Sequence, residues 1–102
     1  MVKITKEAKE DLKQFEENIR EELLDYMENC LVGNRNSEKI GFVSKPEFGV
    51  EFQRLKLKSN SLDHRVYFDY LESEIVVFAV RHRDYAYSNK DLKEIEGRLD
   101  IF

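Results

Sequence analysis

Apolar positions along this chain follow two different periods, and the change from one to the other divides it. From Ala8 they recur at helical spacing: Ala8, Leu12, Phe15, Ile19, Leu23, Tyr26 and Cys30, with Leu24, Met27 and Leu31 widening the stripe. Thr5 is placed to cap the start, and Glu7 puts negative charge in the first turn, where it suits the helix dipole. Gly33 and Asn34 are natural terminators. The pattern fits one long helix, or an antiparallel pair turning near Glu16-Glu17-Asn18, and no Gly or Pro marks such a turn. Ahead of it, Val2 to Ile4 reads as a short edge strand. Gly33 to Gly49, with three of the four glycines and the sole proline, reads as a connector, pinned to the core by some of Ile40, Phe42, Val43 and Phe48.

From Phe52 the period becomes two. Arg54, Lys56 and Lys58 share one face of a strand, and Leu55 and Leu57 share the other. After a polar turn, Ser59 to Asp63, a second strand runs from His64 to Leu71. It places Val66, Phe68 and Tyr70 on one face and Arg65, Tyr67 and Asp69 on the other. Glu72 to Glu74 turns tightly into Ile75–Val80, apolar at every position and so expected to be buried on both faces in the middle of a sheet. Continued alternation would put Arg81, Arg83, Tyr85 and Tyr87 on one face, with His82, Asp84 and Ala86 on the other. Ser88 to Asp91 reads as a capped helix start, and Leu92, Ile95 and Leu99 give that last helix one apolar face. The predicted fold is α+β: an N-terminal helix or helical hairpin packed on a small, mainly antiparallel β-sheet, with a short C-terminal helix.

At 102 residues the chain is expected to form one domain, 1–102. No apolar run approaches the roughly 18 residues of a membrane span. Charge is present from Lys3 on, so no signal-peptide core is read at the start. One cysteine, on the helical stripe, reads as core and excludes an internal disulfide framework, so a cytoplasmic setting is expected. Net charge is −4, all of it from residues 1–51; residues 52–90 carry an excess of two positive charges. A polyanion would therefore meet the C-terminal half.

With helices over the Leu55, Leu57, Val66 and Phe68 face, the other face would gather Arg54, Lys56, Lys58, Arg65, Arg81, Arg83, Tyr85 and Tyr87. Cations neutralise phosphates and aromatic rings stack on unpaired bases, a combination that suits single-stranded RNA. No metal-ligand spacing, Gly-rich phosphate loop or nucleophile motif is present, so neither a metal nor another cofactor is expected. RNA brings its own nucleophile, the 2′-OH. A site then needs a base to deprotonate it, charge to stabilise the phosphorane and an acid for the leaving 5′-oxygen; a lysine of lowered pKa, arginines and a histidine can fill these roles.

These segments, in this order, resemble the RelE/ParE superfamily of toxin–antitoxin systems over nearly the whole chain. ITKEAKEDLKQFEENIREELLDYM resembles the family's opening strand and helical hairpin. KPEFG (Lys45 to Gly49) resembles its connector, RLKLKS (Arg54 to Ser59) its basic strand, HRVYFDY the strand that carries the family's arginine, and VRHRDYAY (Val80 to Tyr87) its ending. Asp84 stands where the family motif often has a cation. The resemblance implies a toxin silenced by a cognate antitoxin. In the RelE branch it would be a metal-independent endoribonuclease cutting mRNA on the ribosome. Lys56 would then be the base, with Arg65 and Arg83 stabilising the phosphate or returning the proton, and Tyr87 orienting or stacking the substrate. Arg54, Lys58, Arg81, His82 and Tyr85 would be RNA-binding. In the ParE branch the same fold would act on DNA gyrase without nuclease activity. A third possibility is a degenerate member that only binds an antitoxin.

Overall fold

A computed structural model describes residues 2–32, 39–59 and 61–101. The chain begins with β1 (Val2–Ile4), then α1 (Lys6–Lys13) and α2 (Glu17–Leu31). The open question about the first helical segment is resolved as a hairpin. Gln14 and Phe15 close α1 with N–H bonds back to Asp11 and Leu12, and Glu16, in extended conformation, starts α2. Thr5 caps α1 as expected, its hydroxyl accepting the Ala8 N–H at 3.2 Å. The terminators expected at Gly33 and Asn34 lie outside the described residues.

Four longer strands follow: β2 (Ile40–Lys45), β3 (Val50–Lys58), β4 (Asp63–Leu71) and β5 (Glu74–His82). The sheet order is β1-β5-β4-β3-β2, with β1 parallel to β5 and every other pair antiparallel. Two expectations change here. The stretch taken as a connector contains strand β2, which pairs with β3 from Ile40↔Leu55 to Lys45↔Val50, followed by a 3-10 turn over Pro46–Phe48 that ends on Gly49 at φ +66°. The middle position belongs to β4. β5 is buried on both faces from Ile75 to Arg81 but lies one place from the edge, beside β1, which covers it only as far as Val77.

The hairpin packs on one sheet face, as the alternation predicted. Ala8, Leu12, Leu23, Met27, Cys30 and Leu31 meet Leu55, Leu57, Val66, Phe68, Val77 and Val80. The opposite face is not wholly open. Phe52, Tyr67, Phe78 and Ala79 form a second core there, closed by Leu92 and Ile95 of α3 (Asn89–Arg98). A β-bulge makes this possible: Tyr67 pairs with Ala79 and Phe68 with Val77, so Phe78 is an extra residue and both Phe78 and Ala79 serve the second core. Ser88 caps α3, its hydroxyl accepting the Asp91 N–H at 3.1 Å. α3 thus covers one part of the second face and leaves the cationic ends of β3 and β4 outside the core.

Candidate functional site

The register across β3 and β4 brings the basic residues into facing positions. Lys56 pairs with Arg65, Arg54 with Tyr67 and Lys58 with Asp63. Lys56 and Lys58 are exposed. Arg54 is half-buried and lies across β2: its Nη1 donates to the Lys39 carbonyl at 3.1 Å, and a Cβ on Gly41 would come within 2.7 Å of its guanidinium. Gly41 is therefore the gap through which Arg54 passes. Arg65 is only 8% exposed, its Nη1 donating to the His64 carbonyl at 3.0 Å and to Asp63 Oδ1 at 3.2 Å.

The continued alternation expected beyond Val80 does not hold. β5 ends at His82, and the backbone turns: the N–H groups of Tyr85 and Ala86 both donate to the His82 carbonyl, and Ser88 N–H donates to Tyr85. Arg83, Tyr85 and Tyr87 therefore leave in three directions. Arg83 is exposed and bonded to Asp63 Oδ2 through Nη1 at 3.3 Å, so one carboxylate bridges Arg65 and Arg83. Burial pushes the Asp63 carboxyl up, but the hydrogen bonds from Arg83 and Arg65 outweigh it and its pKa lies below the usual value.

Tyr87 adopts φ +66°, a left-handed conformation uncommon outside glycine. Its backbone N–H is held by Asp91 Oδ2 at 2.9 Å and by the Tyr67 hydroxyl at 3.2 Å, and its ring stacks on Tyr67 at 5.8 Å and 24°. These contacts hold the ring beside Arg54 and Arg65. The Tyr87 hydroxyl is buried, and Arg65 approaches it without closing a hydrogen bond of good geometry. Burial raises its pKa more than the Arg54 and Arg65 guanidiniums lower it. Arg54, Lys56, Arg65 and Tyr87 thus form one site, with Arg83 joined to it through Asp63.

Arg81, His82 and Tyr85 lie elsewhere. Arg81 is 6% exposed and surrounded by acids: Nε donates to Asp91 Oδ1 at 2.8 Å, Nη1 to Asp11 Oδ1 at 3.1 Å and Nη2 to Glu94 Oε2 at 2.9 Å. Tyr85 covers this cluster, its ring 5.2 Å from the Arg81 guanidinium and its hydroxyl bonded to Glu94 at 2.7 Å. His82 lies edge-on to His64, which in turn contacts Phe15 of the hairpin connection, so His82 belongs to the hairpin side of the sheet.

Sequence reasoning missed the acids that hold Arg81. Asp11 also takes two bonds from Arg98, at 2.6 and 3.0 Å, and accepts the Val80 N–H at 3.0 Å. That N–H lies on the stretch of β5 that β1 does not cover, so Asp11 stands in for the missing strand, while Arg98 caps the Phe78 carbonyl at 3.0 Å. Asp91 is fully buried and binds Arg81, the Tyr67 hydroxyl at 2.6 Å and the Tyr87 N–H. Burial and the bond to Asp91 push the Tyr67 phenol far up. The available signal was Asp11 itself, an acid next to Leu12 and three residues from Ala8 on the apolar stripe.

Among the described residues, no three His, Cys, Asp or Glu side chains gather closely enough to hold a metal ion, and no helix is long and apolar enough to cross a membrane. The sequence model of the ParE toxin of the type II toxin–antitoxin system parDE matches residues 2–87. No curated protein sequence gives a significant match. Among solved structures, the chain is similar to free E. coli RelE carrying two arginine-to-alanine substitutions (15% identity, TM-score 0.60, covering 100% of this chain and 97% of that one). It is also similar to a chain of the RelE–RelB complex of Pyrococcus horikoshii (19%, 0.59, 83% and 96%) and of the antitoxin–toxin complex of Methanococcus jannaschii (20%, 0.56, 83% and 94%). At these identities the structures speak for the fold, which they share: helices against a five-stranded mixed sheet. The matched sequence model spans most of the chain, and on that ground the chain belongs to the ParE toxin family of type II toxin–antitoxin systems, within the RelE/ParE superfamily.

Proposed function

We propose that the chain is a RelE-like toxin, one domain over residues 1–102, acting in the cytoplasm as a metal-independent endoribonuclease on mRNA held by the ribosome. The observation that carries this reading is the direct pairing of exposed Lys56 with Arg65 across β3 and β4, with Tyr87 held beside Arg65. In this reading Lys56 takes the proton from the 2′-OH. The 2′-oxygen attacks phosphorus, the bond to the 5′-oxygen breaks, and that oxygen takes a proton from the Arg65 or Arg83 guanidinium, which regains one from solvent as Lys56 releases its own. Arg65 and Arg83 meet the charge that grows on the phosphorane. Tyr87 orients or stacks the substrate, and Arg54 and Lys58 hold neighbouring phosphates. Arg81 and Tyr85, occupied in the buried ion cluster, and His82, on the hairpin side, drop out of the RNA-binding set.

The partner in this reading is a cognate antitoxin. Support comes from the two archaeal relatives, whose structures are complexes with RelB antitoxins. An amphipathic antitoxin segment is expected to cover or distort the Arg65/Arg83 surface. A second reading has its own support, because the matched sequence model is that of a ParE toxin. In it, the chain would inhibit DNA gyrase and leave RNA intact. Induced expression in cells separates the two. The nuclease reading predicts growth arrest with new mRNA ends at translated codons. Arrest with intact mRNA, and inhibition of gyrase supercoiling by the purified protein, would decide for the second.

A further inference from the structure

Asp63 occupies the position between the two arginines that the proposed reaction needs. It opens β4, and its two carboxylate oxygens are used separately, Oδ1 on Arg65 at 3.2 Å and Oδ2 on Arg83 at 3.3 Å. Its backbone carbonyl also accepts the Arg83 N–H at 2.9 Å, which ties the turn after β5 to the start of β4. Two oxygens of one anion, each on its own guanidinium, is the arrangement that the non-bridging oxygens of a phosphodiester would take on the same pair.

The contacts differ from those of the other acids around arginine. Asp91 is fully buried and holds Arg81 at 2.8 Å; Asp11 is 3% exposed and holds Arg98 at 2.6 Å and Arg81 at 3.1 Å. Asp63 is only half-buried, its two bonds are long for charge-assisted ones, and its partner Arg83 has a side chain 62% exposed. The first pair reads as structural. The Asp63–Arg83 contact is open to exchange with a solvent-borne anion, and Arg65, its side chain only 9% exposed, is reached once Asp63 leaves.

We propose that Asp63 is an internal competitor for the phosphate: it occupies the Arg65–Arg83 pair in the free protein and must swing away for a single-stranded phosphodiester to bind there. The inference rests on the proposed function, from which it takes the arginine pair as the phosphate site. It supplies a physical reason for dependence on the ribosome. Free RNA must displace a resident carboxylate, whereas a message held in place does so at a high effective concentration.

The test is equilibrium binding of a single-stranded 2′-deoxy oligonucleotide, which the proposed reaction cannot cleave, to wild-type protein, Asp63→Asn and Asp84→Asn. Asp84 is the control: it is exposed and next to Arg83 in the chain, and its contact is with His82. Asp63→Asn is expected to bind about tenfold tighter than wild type or more, and Asp84→Asn about threefold tighter or less. A gain for Asp63→Asn no larger than for Asp84→Asn overturns the proposal. So does weaker binding, which would make Asp63 a positioning residue. A second measurement needs no variant: in wild-type protein the Asp63 carboxyl ¹³C and Arg83 Nε–H resonances are expected to shift together as oligonucleotide is added, and unmoved resonances at saturation overturn the proposal. Cleavage is not read in either experiment. Tighter binding by Asp63→Asn beside a failure of mRNA cleavage would reject the nuclease reading and leave the competitor in place; cleavage without that gain would reject the competitor alone.

Discussion

Arg81 and Arg65 sit opposite one another on β5 and β4, yet they do different work. Arg65, as buried as Arg81, pairs with Lys56 in the cationic site and meets Asp63, while Arg81 is closed in by Asp11, Asp91 and Glu94. Without Asp91, Arg81 keeps Asp11 and Glu94, but its buried Nε–H and the buried Tyr67 hydroxyl lose their acceptor. Asp91→Ala is therefore expected to lower unfolding free energy by about 3–5 kcal/mol in urea titration; a loss under about 1 kcal/mol would show that these groups find other acceptors. The residues that sequence reasoning placed well, Arg54, Lys56, Lys58 and Arg65, are those whose position follows from alternation alone. Arg81 obeys the same alternation, but its fate depends on Asp11, 70 residues away in the chain. No local pattern carries that information. Tyr87 comes to lie beside Arg54 and Arg65 not through strand alternation but through a left-handed turn and the stack on Tyr67.

At the level of elements, β3, α3 and the hairpin were legible from one apolar face each, β4 from its alternation in sequence and β5 from its unbroken apolar run. β2 was hidden: an edge strand with Gly41 in it, exposed Phe42 and a following proline has the composition of a loop, and its pairing exists only because β3 presents a partner. The end of β5 was hidden for the opposite reason. The sequence RHRDYAY alternates as a strand would, but the chain turns after His82 because α3 must return over Phe52, Tyr67 and Phe78. β2 also shapes the site, since Gly41 leaves room for Arg54. Gly41→Ala would push the flexible end of Arg54 aside. Stability is expected to change by less than about 1 kcal/mol. Oligonucleotide affinity is expected to fall, and the salt slope to drop by about one unit. Unchanged affinity and slope would show that Arg54 does not contact phosphate.

At the scale of the whole molecule, the hairpin and the cationic strands meet at His64. It is buried against Phe15 and His82, next to Asp63 and Arg65, and burial, followed by the repulsion of His82, lowers its pKa. The unfolded chain then binds a proton more readily than the folded one. Stability should fall as pH drops below about 6.5, the ordinary histidine value. Asp63 and Glu94, whose pKa values are lowered from 3.8 and 4.5, keep their contributions above those ordinary values and lose them as pH falls through the lower folded-state ones. Thermal unfolding at pH 7, 6 and 5 is expected to show a declining midpoint that His64→Gln flattens; an equal slope in the variant would assign the effect elsewhere. The proposed function gives Lys56, Arg65, Arg83 and Tyr87 the work of RNA cleavage on one face of this sheet. Its most direct test is single-turnover cleavage of a ribosome-bound message across protein concentration. Lys56→Ala and Arg83→Ala are expected to lose about 10²–10⁴-fold in rate at saturation. Lys58→Ala is expected to recover the wild-type rate at higher concentration, and Tyr87→Ala to fall between. Wild-type rates for both Lys56→Ala and Arg83→Ala would contradict the account.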